Sequence, residues 1–148
     1  MRENKKSIVI LIAEDDPDDR MLIKEALEEA RLANPLQFVV DGVELMDYLY
    51  RQNQYADLKG QPLPGLILLD LNMPRKNGIE ALQEIKANGS FKQIPIIVFT
   101  TSKAEEDIIR TYNLGVNSFI SKPVSFEEFL DVVRTLTKYW FEIVELPH

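Results

Sequence analysis

Cysteine is absent from this sequence, which excludes disulfides, thiol nucleophiles and thiolate metal sites and suits a cytoplasmic location. Histidine is almost absent. The only one, His148, is the last residue, which leaves no place for a hydrolytic triad or a histidine metal cluster. No apolar run approaches the ~20 residues needed to span a bilayer. The charged opening MRENKKS leads straight into a strand pattern, with no sign of a signal peptide. Positive charge is in deficit too. A formal net charge of −7 argues against nonspecific nucleic-acid binding, which needs Lys and Arg facing phosphates. What is there is ordinary: 148 residues, 45% hydrophobic and 28% charged, enough for one domain with its own core.

Apolar, β-branched runs alternate with amphipathic segments along the whole chain. The strand candidates are 7–13 (SIVILIA), 36–40 (LQFVV), 65–70 (GLILLD), 94–100 (IPIIVFT) and 117–121 (NSFIS). The first, third and fourth are continuously apolar, as parallel strands covered on both faces are. Between them lie five helices with legible ends. Asp16 caps the first with Pro17 at its opening turn, and Leu22, Ile23, Ala26, Leu27 and Ala30 form its apolar face. Asp41 with Glu44 has capping-box spacing for the second. The third spans 78–87 and stops at Asn88-Gly89, and the fourth runs from about Ala104 to before Gly115. Ser125 with Glu128 has the same box spacing at the last helix, where Phe126, Phe129, Leu130, Val133, Leu136 and Trp140 share one side. Strict alternation of five strands and five helices predicts a doubly wound α/β sheet. The long connection 51–65 reads as a surface insertion.

Ligands of such sheets sit beyond the carboxyl ends of the strands. The first strand candidate runs into Glu14 and Asp15, the third ends in Asp70, the fourth in Thr100, and the fifth in Ser121 and Lys122. Two like charges about 4 Å apart repel by roughly 1 kcal/mol in water and about 4 kcal/mol at an effective dielectric near 20. Three gathered carboxylates therefore take up protons or bind a cation. Hard oxygen ligands favour Mg²⁺, which keeps positions open for water or phosphate. A carboxylate beside a metal, a lone Lys and a Thr hydroxyl has the parts for phosphoryl transfer onto aspartate, with Asp70 as nucleophile.

Four separated motifs, ILIAEDDPDDR, LILLDLNMPRKNG, IPIIVFTTS and SFISKP, together resemble the receiver domain of two-component response regulators, which is CheY-like. The resemblance covers nearly the whole chain. It implies a flavodoxin-like (βα)5 sandwich with a five-stranded parallel sheet in order 2-1-3-4-5. It implies that Asp70 accepts a phosphoryl group from a sensor histidine kinase. Glu14, Asp15, Asp70 and the backbone carbonyl of Asn72 would then serve a Mg²⁺ site, with Mn²⁺ as a substitute, and Thr100 and Lys122 would contact phosphoryl oxygens. Phe119 stands where receivers carry a switch aromatic, and Lys122-Pro123 resembles the receiver Lys-Pro whose bond is typically cis. The acidic pair is Glu-Asp where Asp-Asp is more usual, and Phe119 lacks the hydroxyl of the commoner Tyr. The insertion, the Thr100-Thr101-Ser102 run and the tail 139–147 resemble the small response regulators of bacterial, especially cyanobacterial, phytochromes.

Plainer readings stand beside these. Asp16, Asp18 and Asp19 read as a cap and first-turn carboxylates favoured by the helix dipole. An EF-hand is excluded because the sixth position counted from Asp16 is Met21, where that loop needs Gly. Phe119 fits core packing as well as a switch. Thr101 and Ser102 fit helix capping, and Ser102 also a role in acyl-phosphate hydrolysis. Tyr139, Trp140 and Phe141 either fold back on the domain or form a homodimer interface. The expectation is a single receiver domain over 1–148, with an N-terminal arm (1–6) and a C-terminal extension (139–148). It would be a stand-alone switch, not a turnover enzyme, acting on an unknown downstream protein. A phosphohydrolase of the haloacid-dehalogenase type would want an acid two residues after its nucleophile, where this chain has Asn72. A pseudo-receiver that is never phosphorylated is the third alternative.

Overall fold

The computed structural model describes residues 8–101, 105–122 and 125–145, without the side chains of 105, 136, 137 and 139–145. The strands are β1 (Ile10–Ala13), β2 (Leu36–Val39), β3 (Leu66–Leu69), β4 (Ile96–Thr100) and β5 (Ser118–Ser121). The helices are α1 (Pro17–Glu29), α2 (Gly42–Tyr50), α3 (Gly78–Ala87), α4 (Glu105–Asn113) and α5 (Phe126–Glu145). The sheet order is β2-β1-β3-β4-β5, and every neighbouring pair is parallel. The fold class is as the alternation of elements predicts, and the strand order is as the family resemblance implies.

Period-two alternation in the central strands divides their side chains between two cores. Leu11, Ala13, Ile67, Leu69, Ile96 and Val98 point to one face, against Leu45, Leu49, Leu82 and Ile85 of α2 and α3. Ile10, Ile12, Leu68, Ile97 and Phe99 point to the other, against Ile23, Leu27, Phe129 and Val133 of α1 and α5. The continuous apolar runs are the consequence of that double cover. Full burial of each such side chain contributes about 1.5–3 kcal/mol.

The strands are shorter than the apolar runs, because the runs include residues that lead into or out of the sheet. Asp16 caps α1 through bonds from the backbone N–H groups of Asp18 (2.8 Å) and Asp19 (3.3 Å), with Pro17 following it. The box expected at α2 is only half formed. Asp41 accepts from the Glu44 N–H at 2.8 Å, but the Glu44 carboxylate turns to the Val40 N–H (2.8 Å) and the Tyr55 hydroxyl (2.5 Å). Ser125 caps α5 at 3.1 Å through the Glu128 N–H, and its hydroxyl, not its backbone, meets the Glu128 carboxylate. The complete reciprocal box is Asn77 with Glu80 at α3, a pair the sequence reading passes over. At the other end of α3, Asn88 is extended, and Gly89 is not left-handed. The Asn88 side chain instead accepts from Ser90 and Phe91 N–H groups, steering Phe91 into the core.

The connection 51–65 carries a 3-10 turn, Asn53–Leu58, and packs Tyr55, Leu58 and Leu63 against the α2–α3 core. The buried Arg51 guanidinium ties it down, donating to the carbonyls of Tyr48 and Pro62 at 2.8 Å each. Backbone helix continues through 139–145 as part of α5. The arm 1–6, Ser102, Pro123 and 146–148 lie outside the described residues.

Candidate functional site

Each functional side chain is delivered by a strand end, and backbone bonds between strands hold those ends together. The Glu14 N–H donates to the Val39 carbonyl at 2.9 Å, the Asp70 N–H to the Ala13 carbonyl at 3.0 Å, and the Lys122 N–H to the Thr100 carbonyl at 2.8 Å. Glu14, Asp15 and Asp70 are thereby gathered, with a carboxylate oxygen from each within 4.8 Å of the others. Glu14 is 1% and Asp70 5% exposed, whereas Asp15 is exposed and lines a cleft of about 680 Å³. Asn72, Met73, Arg110 and Asp107 also line that cleft.

Asp70 is held at both oxygens. Its Oδ1 accepts from the Thr100 hydroxyl at 2.8 Å and from the Asn72 N–H at 3.0 Å. Its Oδ2 lies 3.3 Å from the Lys122 ammonium. The Asn72 side chain donates onward to Thr100 Oγ1 (3.2 Å) and Thr101 Oγ1 (2.8 Å). Lys122 Nζ also reaches Glu14 at 2.5 Å and Asp19 at 2.8 Å, and stands 5.0 Å from the centre of the Phe99 ring.

Burial pushes the Glu14 carboxyl up to about 8; its bond to Lys122 pulls the other way and the charge of Asp70 adds to the rise. Burial works against the Lys122 charge, but the bonds to Asp19 and Glu14 outweigh it and hold the ammonium above its ordinary range. Desolvation disfavours the anionic state and gathered carboxylates repel, so a cation is the natural complement of this site. Three hard carboxylate donors, one on an open cleft, fit a divalent cation that keeps part of its own coordination free.

The geometry thus brings together Glu14, Asp15, Asp70, Asn72, Thr100 and Lys122. Phe119 lies opposite Val98 in the β4–β5 ladder, partly buried against the α2–α3 core. Pro123 and the side chains of Tyr139, Trp140 and Phe141 are outside the described residues. Asp19 is what the sequence reading missed. Its sequence context reads as a solvated first-turn carboxylate, yet its side chain binds Lys122 at 2.8 Å. Local pattern carries no signal for it, because its partner comes from the end of β5, 103 residues along the chain.

A parallel (βα)5 sheet with carboxylates, a hydroxyl and an ammonium at its carboxyl edge defines a class of phosphoacceptor signalling domain. Residues 10–134 match the response regulator receiver domain family, and the chain belongs to it. Receiver domains are signalling proteins, not turnover enzymes. They interact with histidine kinases and bind a divalent metal. The chain is 39% identical over 145 residues to response regulator Rcp1 of Synechocystis sp., covering 98% of this chain and 97% of Rcp1. It is similar to the crystal structure of the phosphorylated cyanobacterial phytochrome response regulator RcpA, with a TM-score of 0.83, 37% identity and coverage of 96% of this chain and 99% of that one. The Mn²⁺-bound form of Rcp1 is matched with a TM-score of 0.82 and 39% identity over 95% of this chain and 99% of that one. Among the described residues no helix is long and apolar enough to cross a membrane.

Proposed function

We propose that this protein is a stand-alone cytoplasmic response regulator whose Asp70 accepts a phosphoryl group from a sensor histidine kinase. The observation that carries the reading is the environment of Asp70. One oxygen is fixed by Thr100 and Asn72, the other faces Lys122, and Glu14 and Asp15 stand within 4.8 Å. In the transfer, an Asp70 Oδ atom forms a bond to phosphorus as the P–N bond of a phosphohistidine breaks, and the electron pair of that bond returns to the imidazole. Thr100 and Asn72 orient the attacking carboxylate, which matters because little covalent chemistry is left to the protein. Lys122 offsets charge on the phosphoryl oxygens. A divalent cation held by Glu14, Asp15, Asp70 and the Asn72 carbonyl would supply further charge neutralisation there, Mg²⁺ and Mn²⁺ both suiting those donors.

Once Asp70 is modified, the Thr100 hydroxyl turns from the carboxylate to a phosphoryl oxygen and leaves the Asn72 amide. Thr100 and Phe119 share a face, since Phe119 pairs with Val98 two residues earlier in β4. Movement of Thr100 therefore opens space into which Phe119 turns, biasing a two-state equilibrium that a downstream protein reads. Similarity to Rcp1 and RcpA supports a phytochrome-type kinase as donor. The aromatic end of α5, Tyr139, Trp140 and Phe141, is the proposed homodimer contact.

Incubation with acetyl phosphate and Mg²⁺ is the test. A single acid-stable, base-labile phosphoryl adduct is expected, lost in Asp70→Asn. An adduct that survives that substitution, or none in the wild type, overturns the reading. Many turnovers of p-nitrophenyl phosphate per protein would move it to the phosphohydrolases. Sedimentation as a monomer at high concentration, phosphorylated or not, would remove the dimer.

A further inference from the structure

We propose that Asp19 is the resting anchor of Lys122, and that phosphorylation of Asp70 exchanges this ion pair for a bond to a phosphoryl oxygen. The inference rests on the phosphoacceptor reading above and gives that site a fourth carboxylate, from α1. Asp16 already caps the helix, accepting from Asp18 and Asp19 N–H groups. The Asp19 side chain is not needed there and reaches inward, its Oδ2 2.8 Å from Lys122 Nζ.

An ammonium has three N–H donors. Among the described residues its three partners are Glu14 at 2.5 Å, Asp19 at 2.8 Å and Asp70 at 3.3 Å. With each donor matched to a carboxylate among the described residues, an incoming phosphoryl oxygen displaces one of these bonds. Solvent access decides which. The side chains of Glu14 and Asp70 are 1% and 6% exposed, whereas that of Asp19 is 30% exposed. A buried carboxylate deprived of its cation keeps the full desolvation cost. Asp19 can be rehydrated where it stands. It is therefore the exchangeable partner, and in the resting protein it holds the ammonium on the α1 side, farther from Asp70 than from the other two acids. Asp19 is a positioning residue: it acts through Lys122 and touches no reacting atom.

Removing the anchor favours the modified form. Asp19→Asn is expected to bind beryllofluoride, a phosphoryl mimic that adds to the aspartate carboxylate, about three- to tenfold more tightly in Mg²⁺, the span between an exposed ion pair and a charge-assisted bond. Phosphorylation by acetyl phosphate should quicken in step. Asp18→Asn is the matched control. It removes the same charge from the same exposed helix turn, from a residue with no described bond to Lys122, and should behave as wild type. Asp19→Glu, which keeps the charge, should fall between. In the metal-free protein the side-chain ammonium resonance of Lys122 should shift and exchange faster with water in Asp19→Asn, but not in Asp18→Asn. Equal behaviour of the two asparagine variants, weaker beryllofluoride binding by Asp19→Asn, or an unmoved Lys122 resonance overturns the proposal. A wild type that takes up neither acetyl phosphate nor beryllofluoride defeats the phosphoacceptor reading instead, and the metal-free resonance then decides on Asp19 by itself.

Discussion

An ideal Cβ at Gly78 would lie 2.4 Å from the carbonyl oxygen of Asp70 and 2.6 Å from Cα of Leu71. Both are backbone atoms, so no side-chain rotation can relieve the contact. The start of α3 is pressed against the peptide that carries the acceptor aspartate, and only glycine permits that approach. Gly78→Ala is expected to destabilise the fold by about 1–3 kcal/mol, the cost of overpacking, seen as a lower urea midpoint. It should also slow acetyl phosphate transfer in the folded fraction, because the Asp70 peptide has to move. Equal rates after correction for unfolding would show that the acceptor tolerates the shift. The need for glycine here cannot be read from local pattern: Asn77-Gly78 at the start of a helix has the look of an ordinary loop end, and the close approach exists only because the loop folds its end back onto its own beginning at Asp70 and Leu71.

At the scale of elements, the loop between β3 and α3 is fastened to the start of α2. The Gly42 N–H donates to the Lys76 carbonyl at 2.9 Å. Arg75, held left-handed at φ 63°, makes two bonds to the buried Asp41 carboxylate, at 2.7 and 3.0 Å. Burial alone would raise the Asp41 carboxyl, but the Arg75 bond and the capping N–H of Glu44 outweigh it and hold it below its ordinary value of 3.8. The folded state thus binds this proton less tightly than the unfolded chain. Its contribution is complete above the unfolded pKa and is lost as pH falls through the lower folded one. Arg75→Ala should therefore lower the urea midpoint near neutral pH, and the gap from wild type should narrow on acidification below about pH 4. A gap that is constant with pH would separate the pair from the acid transition. The second element-scale expectation concerns α3. Its reciprocal cap makes Asn77→Ala worth about 1 kcal/mol, measurable by urea titration. Loss of no stability would mean that water replaces the cap without cost.

The molecule as a whole is a sheet between two cores, which form separate clusters among the described residues. On the α1–α5 side, Phe129 is fully buried and its ring lies 4.7 Å from that of Phe99, centre to centre. Phe99 in turn backs the Lys122 ammonium. Phe129→Ala should cost about 3–5 kcal/mol, a large part of the 5–15 kcal/mol typical of a domain. Chemical denaturation followed by circular dichroism checks it. A cost below about 1 kcal/mol would mean that α5 is not held by this contact. Much of this architecture was legible in advance. Continuous apolar runs at β1, β3 and β4 betray two-sided cover, and the polar residues that end them mark the functional edge. The half-formed box at Asp41 was not legible. Spacing allows Glu44 to reach back, but the 51–65 connection brings the Tyr55 hydroxyl to it, and a long carboxylate follows the better donor. Asp19 escaped notice for a similar reason, because what faces α1's first turn is set by a lysine 103 residues away.

By itself the sequence determined the order of strands and helices and the chemical groups at the strand ends, because backbone preference and apolar period act over a few neighbours. Only the tertiary structure decided which acids share Lys122, where glycine is obligatory and which caps close. Those depend on atoms from distant segments meeting within a few ångströms, and flexible side chains choose among whatever partners the packed elements present.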